Sequence, residues 1–254
     1  MTLTKSISLL YIFIQLWCVS TTAFTAEIRV AVASNFSATL KRLSSHFEQT
    51  SLHKVILISG STGKLYAQIQ QGAPFDVFLA ADDKHPVLLE TQGKSQAGTR
   101  FTYAIGKLIL WSSDIHYVDN AGLILHRGEF DFLSIANPGF APYGIAAKEV
   151  MRSLGIWKKL QKKLVRGDNI TQAYQYVKTG NAQLGFIAFS QIKQPALPVY
   201  GSYWEIPLRY YTPIKQQAVL LHNNTAAREF LSYLKTPAAL KIIRSFGYIT
   251  SDAN

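Results

Sequence analysis

Val55-Ile56-Leu57-Ile58-Ser59-Gly60-Ser61-Thr62-Gly63-Lys64-Leu65-Tyr66-Ala67-Gln68-Ile69 passes from an apolar strand (Val55 to Ile58) through small and hydroxyl residues straight into an amphipathic helix (Lys64 to Gln71). A helix that begins this abruptly leaves its first backbone N–H groups without partners. Together with the nearby hydroxyls, they converge on one point that suits a small anion. The flanking sequence repeats the alternation. Ile28 to Ala33 reads as a strand, Phe36 to Gln49 as a helix (Phe36, Leu40, Leu43, Phe47), and Val77 to Ala80 as a strand ending at Ala81-Asp82-Asp83. Strands and helices alternating at this length predict βαβ crossovers and a parallel sheet.

Beyond Arg100 the character changes. Arg100 to Ser112 (RFTYAIGKLILWS) is one long apolar strand pattern broken by Gly106. A strand is predicted around Phe132 to Ala136, then the turn Asn137-Pro138-Gly139 and a helix from Ile145 to Leu154. Another helix follows Gly155 to about Leu164, then a helix over Thr171 to Lys178 and a strand over Leu184 to Ala188. Tyr210 to Leu221 is again extended, and Ala226 to Phe246 returns to helices. Two long extended segments bracketing a middle block predict a chain that crosses to a second lobe and comes back. The expectation is an α/β protein of two lobes, each a mostly parallel sheet flanked by helices, with a ligand cleft between them. Residues 27–105 form the first lobe, 106–212 the second, and 213–254 return to the first. No internal repeat or low-complexity segment is visible.

The chain start reads as a secretory signal peptide over residues 1–26: Lys5, an apolar run from Ile7 to Val19, then small residues with cleavage after Ala23 or Ala26. The run is shorter than the roughly 20 residues a membrane span needs. Cys18 is the single cysteine and lies inside this leader, so the exported chain has neither disulfides nor thiolate metal ligands. Its stability must come from an ordinary core, which a chain of this length can build. The net charge of +11 points to an anionic partner. Export argues against nucleic acid, and the basic residues are dispersed. Only Lys158-Lys159 and Lys162-Lys163 cluster, on what reads as a solvated helix face.

Ligands of open α/β sheets sit beyond the carboxyl ends of strands. Four such junctions here are rich in small or donor residues: Ala33-Ser34-Asn35-Phe36, Ser61-Thr62-Gly63, Asn137 to Gly144 (NPGFAPYG, with Tyr143), and Gly167-Asp168-Asn169-Ile170-Thr171. Each has an ordinary explanation as a helix cap. Two donor-rich helix starts in each lobe, all able to face one cleft, favour an anion held between lobes. Other chemistries fit poorly. A P-loop needs Gly where Ile58 stands and Ser or Thr where Leu65 stands. No G-x-S-x-G elbow is present, and the six histidines form no metal-ligand spacing. Asp76, Asp82 and Asp83 read as turn and capping residues.

The donor set narrows the anion. A fully ionised tetrahedral dianion such as sulfate or molybdate only accepts hydrogen bonds, whereas hydrogen phosphate also carries a proton that welcomes an acidic acceptor. None of the four loops centres on an acid, although Asp168 is near enough to keep phosphate open. Helix-start dipoles can satisfy a buried dianion without a lysine, so Lys64 is read as a surface residue.

With these residues assembled, the chain resembles the periplasmic molybdate-binding proteins of ABC importers over residues 27–254. The resemblance is carried by Ala31-Val32-Ala33-Ser34-Asn35-Phe36, Ser59 to Gly63 with Tyr66 to Ile69, Gly72 to Val77, Arg100 to Lys107, Asn137-Pro138 with Ala141-Pro142-Tyr143-Gly144, Leu184-Gly185-Phe186 and Gln216-Gln217-Ala218. It implies a class II solute-binding fold that closes on one dehydrated oxyanion and hands it to an inner-membrane permease. The implied ligand positions are Ser34, Asn35, Thr62, Tyr143 and Ile170, with Ser61 as a neighbour. Molybdenum would be held only as the oxyanion molybdate, with no cofactor and no direct metal ligand. One branch of that family adds a tyrosine hydroxyl where this chain has Ala188. The resemblance further implies a monomeric, periplasmic, non-enzymatic binder of molybdate and tungstate. Sulfate or phosphate binding remains the alternative, followed by a secreted phosphate-ester hydrolase or an exported adaptor using the same fold.

Overall fold

The computed structural model describes residues 25–250. The expected cleavage sites and Cys18 fall outside these residues or at their edge. Along the chain run β1 (Glu27–Ala33), α1 (Ser37–Thr50), β2 (Lys54–Gly60), α2 (Thr62–Gln70), β3 (Val77–Leu79), α3 (Lys84–Thr91), β4 (Phe101–Gly106) and β5 (Leu108–Ser112). Then come α4 (Ile124–Arg127), β6 (Leu133–Ala136), α5 (Pro142–Ser153), α6 (Trp157–Leu160), β7 (Leu164–Gly167), α7 (Ile170–Lys178) and β8 (Leu184–Ala188). β9 (Ser202–Glu205), β10 (Ile214–Leu220), α8 (Thr225–Tyr233) and α9 (Pro237–Ser245) complete the chain.

Two five-stranded sheets result, ordered β2-β1-β3-β10-β4 and β7-β6-β8-β5-β9. In each, three neighbouring strands are parallel and the last two pairings are antiparallel. The sheets are therefore mixed around a parallel core, and the antiparallel strands in both come from the extended segments that join the lobes. Gly106 divides the long apolar run Arg100 to Ser112 between two sheets. β4 pairs with β10 in the first, and β5 lies between β8 and β9 in the second.

The first sheet is covered on both faces, which is why its strands are apolar almost throughout. On one side Ile28, Val30 and Val32 meet Phe36, Leu40 and Leu43 before and along α1, Phe230 of α8 and Ile243 of α9. On the other, Ala31, Phe78 and Val219 meet Leu65 and Ile69 of α2 and Leu89 of α3. In the second sheet, Leu108, Leu110, Leu133, Ile135, Leu184 and Phe186 share a core with Ala147, Val150 and Met151 of α5.

The strands β7 and β9 and the helix α4 were not expected from sequence, and α3 was signalled only by the capping reading of Asp82 and Asp83. The predicted helix after Gly155 ends instead in a single 3-10 turn (Gln161–Lys163) before β7. The lysines of that region are only partly a solvated face. Lys159 Nζ donates to the His126 carbonyl, and Lys163 Nζ to the Gly128 carbonyl at 2.9 Å, closing the loop after α4. Two of the three acids singled out above have structural partners, whereas Asp83 precedes α3 without a side-chain cap bond. Asp76 accepts from the Arg29 N–H and from Asn224 Nδ2, and Asp82 from the His85 N–H and ring.

Candidate anion-binding site

Four chain turns meet between the lobes around a small cavity lined by Ala33, Ser34, Asn35, Gly60, Ser61, Thr62, Ala81, Ala141, Pro142, Tyr143 and Ile170. Every site residue expected from sequence is therefore in its wall, and each arrives at the start of a helical turn. Ser34 and Asn35 open the 3-10 turn Ser34–Phe36 ahead of α1, and Thr62, Tyr143 and Ile170 stand in the first turns of α2, α5 and α7. A larger, open groove lined by Trp111, Tyr174 and Tyr200 belongs to the second lobe alone. None of the four donor-rich turns reaches it, so its size carries no weight here.

The wall is a set of unspent donors. The backbone N–H groups of Asn35, Thr62, Tyr143 and Ile170 have no acceptor among the described residues. Neither α2 nor α5 has a side-chain cap: Ser61 precedes α2 without bonding it, and Ala141 precedes α5 with Pro142 in the first turn. The Ser61 hydroxyl is buried with no partner among the described residues. Leaving such a group unsatisfied costs about 1–3 kcal/mol, so an acceptor placed in the cavity recovers that energy. Thr62 is set differently. Its Oγ1 accepts the Ala81 N–H at 3.0 Å, which leaves the hydroxyl proton as its free function. Of the helices that reach the cavity, only α7 carries an ordinary cap, Asn169 accepting from the Gln172 N–H.

Side chains of the wall turn away from the cavity where they would compete with a ligand. Asn35 Nδ2 donates to Gln216 Oε1 at 2.8 Å and to Tyr248 Oη at 3.1 Å, so only its backbone faces the space. The Tyr143 phenol runs inward to Gln216. Burial, with the neighbouring Tyr248, Tyr103 and Tyr211 rings, holds that phenol well above the usual tyrosine range, and it stays neutral. Among the described residues no carboxylate lines the cavity. Asp168 lies on its outer side, where Lys64 reaches across from the other lobe to 2.8 Å, with both side chains largely exposed. Lys64 is thus a surface residue with a cross-lobe partner. An exposed pair of this kind contributes at most about 1 kcal/mol.

The lobes touch all around this space. The Gly63 N–H donates to the Phe140 carbonyl at 2.9 Å, Thr171 Oγ1 to the Ser34 carbonyl at 3.2 Å, and Ser190 Oγ to the Asn35 carbonyl at 3.1 Å. Gly63 packs tightly here: a Cβ there would stand 3.1 Å from the Phe140 oxygen, which would have to give by a few tenths of an ångström. Ala188 is fully buried at the end of β8, does not line the cavity, and gives its N–H to Gln191. Sequence reasoning missed Tyr103, Ser190, Gln191 and Tyr248 as the layer behind the wall. Gln216 was missed as well, although a polar residue inside an apolar strand is a signal that could have found it. Among the described residues no cluster of three or more His, Cys, Asp or Glu could hold a metal ion, and no helix is long and apolar enough to cross a membrane.

Comparisons with known proteins agree with this geometry. The family description "bacterial extracellular solute-binding protein" matches residues 28–249. The chain is 48% identical to the molybdate-binding protein ModA of Azotobacter vinelandii over 246 residues, covering 96% of this chain and 98% of that one. It is 45% identical to the Rhodobacter capsulatus protein of the same name over 90% of each. The solved structure of the Azotobacter vinelandii periplasmic molybdate-binding protein superposes with a TM-score of 0.86 at 42% identity, over 88% of this chain and 99% of that one. A two-lobed fold, a cleft between the lobes and matches running nearly end to end make this chain a member of the bacterial extracellular solute-binding protein family, a binding protein and not an enzyme.

Proposed function

We propose that the protein captures molybdate, and tungstate almost equally, and delivers it to the inner-membrane permease of an ABC importer. The observation that carries this reading is the chemistry of the wall: hydroxyls and backbone N–H groups without acceptors, and no carboxylate. In this reading the Ser34 and Thr62 hydroxyls and the N–H groups of Asn35, Thr62, Tyr143 and Ile170 hold the four anion oxygens, with the Ser61 hydroxyl beside them. Several neutral donors at helix starts disperse a double negative charge without a buried cation, and charge-assisted hydrogen bonds are the strong ones. Hydrogen phosphate would bring a proton that finds no carboxylate in the wall. Sulfate matches the donor chemistry and differs in size, which makes it the competitor to test. The relatives' printed name supports the choice of molybdate. The chain would act as a periplasmic monomer after removal of residues 1–26.

Titration calorimetry of the mature protein with molybdate, tungstate, sulfate and phosphate tests the reading. One-to-one binding of molybdate and tungstate, at least a hundredfold (about 2.7 kcal/mol) tighter than sulfate or phosphate, is expected. Preference for sulfate or phosphate, or no binding of any of the four, rejects it.

A further inference from the structure

Tyr143 faces two ways. Its backbone N–H opens into the cavity, while its side chain, 1% exposed, ends where the chain first crosses between lobes. There the phenol lies directly on Gly106, the last residue of β4. A Cβ at position 106 would stand 2.1 Å from Tyr143 Oη, 2.9 Å from its Cζ and 2.7 Å from Gln216 Nε2. Gly106 is absent from the glycines with positive φ, so what it supplies is room and not a special backbone conformation.

Gln216, fully buried on β10, ties this contact to the first lobe. Its Nε2 donates to Tyr143 Oη at 3.4 Å, and its Oε1 accepts from Asn35 Nδ2 at 2.8 Å and from Tyr103 Oη at 3.1 Å. Asn35 and Tyr143, whose N–H groups face the cavity from opposite lobes, thus meet again through one amide at the crossing.

We infer that Gly106 is a positioning residue for the ligand: the Tyr143 phenol seats on it, and the depth of that seat sets how far the lobes close. The inference rests on reading the cavity as an oxyanion site. A methyl group at position 106 intrudes more than an ångström inside van der Waals contact with a buried ring. The ring cannot swing aside in a close-packed interior, so the lobe that carries it must stand off. Standing off by about an ångström takes a 2.9 Å hydrogen bond beyond useful length. The anion would then be held by one lobe's donors alone.

The test compares Gly106→Ala in the wild-type and Tyr143→Leu backgrounds, since leucine keeps the backbone N–H but does not reach position 106. The titrant is whichever of molybdate, tungstate, sulfate and phosphate the wild type binds most tightly. Gly106→Ala is expected to weaken binding at least about thirtyfold in the wild-type background and less than about threefold in the Tyr143→Leu background, a non-additivity that marks direct contact. Small-angle scattering is expected to show anion-induced compaction in the wild type and its loss in Gly106→Ala. Wild-type affinity in Gly106→Ala, or the same loss in both backgrounds, overturns the inference and leaves the proposed function standing. A wild type that prefers sulfate or phosphate overturns the function while the seat is tested with that anion, and a wild type that binds none of the four overturns both.

Discussion

At the scale of single residues, the wall separates groups whose hydrogen bonds are complete from groups held in reserve. Thr62 Oγ1 already serves the Ala81 N–H, so changing Thr62 disturbs the resting protein as well as the ligand. Ser61 is the cleaner probe, because its buried hydroxyl serves nothing among the described residues. Ser61→Ala is expected to leave the melting temperature of the ligand-free protein unchanged or slightly raised. Its molybdate affinity is expected to fall about tenfold, the lower end for a hydrogen bond to a charged group. Thermal melts with and without molybdate check both halves, and a lowered ligand-free melting temperature with full affinity would assign Ser61 a purely structural role. The wall residues were legible in the sequence because small and hydroxyl residues at helix starts announce themselves. The layer behind them was not. Tyr103, Ser190 and Tyr248 lie in ordinary-looking segments and become a network only when residues far apart in the chain are folded against Asn35.

At the scale of elements, binding depends on helix starts left uncapped. α2 and α5 lack side-chain caps, and proline already occupies the first turn of α5 and of α9. Proline is tolerated at the first helical position because the N–H it removes has no intrahelical partner. Thr62→Pro is therefore expected to preserve the circular dichroism spectrum and a cooperative melt, at a lowered temperature because the Ala81 N–H loses its acceptor, while weakening molybdate binding at least about a hundredfold, since it removes both an N–H and a hydroxyl. Near wild-type affinity in calorimetry would mean that the start of α2 does not touch the anion. Longer elements were legible from their periodicity, and β8 was predicted with its observed bounds. The misses are short. β7 and β9 have four residues each with mixed burial, too few to display an alternating pattern. α3 was given no bounds because it follows a turn and carries a proline at its third residue, Lys84-His85-Pro86. The mixed character of the sheets was illegible for another reason. Strand direction depends on which lobe a segment enters, and the two long extended segments announced the crossing without showing how each half would pair.

At the scale of the whole molecule, the titratable groups divide by location. No side chain lining the cavity ionises near neutral pH, and burial keeps the Tyr143 phenol protonated well past the usual tyrosine range. Molybdate affinity is expected to stay flat from about pH 6 to about pH 9. Stability is expected to behave differently in acid. The Val55 N–H lowers the Glu48 carboxyl pKa, and the Arg100 guanidinium together with the Gly98 N–H lowers that of Glu90. A carboxyl depressed by folding stabilises the protein above its unfolded value of about 4.3, and that contribution is lost as pH falls through the folded value. Melting temperature should therefore decline below about pH 4.5 in the wild type and less steeply in Glu48→Gln, read by calorimetric scans between about pH 3 and about pH 7.

The strand order of the first sheet also imposes an order in time. β3 and β4 do not pair with each other; each pairs with β10, which is made only after the entire second lobe. The second sheet draws all its strands from one uninterrupted stretch, β5 to β9. A chain emerging from its N-terminus can therefore finish the later-made lobe first. The lobe carrying Ser34 and Thr62 stays an open-edged half-sheet until β10 slots between its strands. The ability to hold an anion is thus acquired in the closing moments of folding, when the end of the chain returns to its beginning.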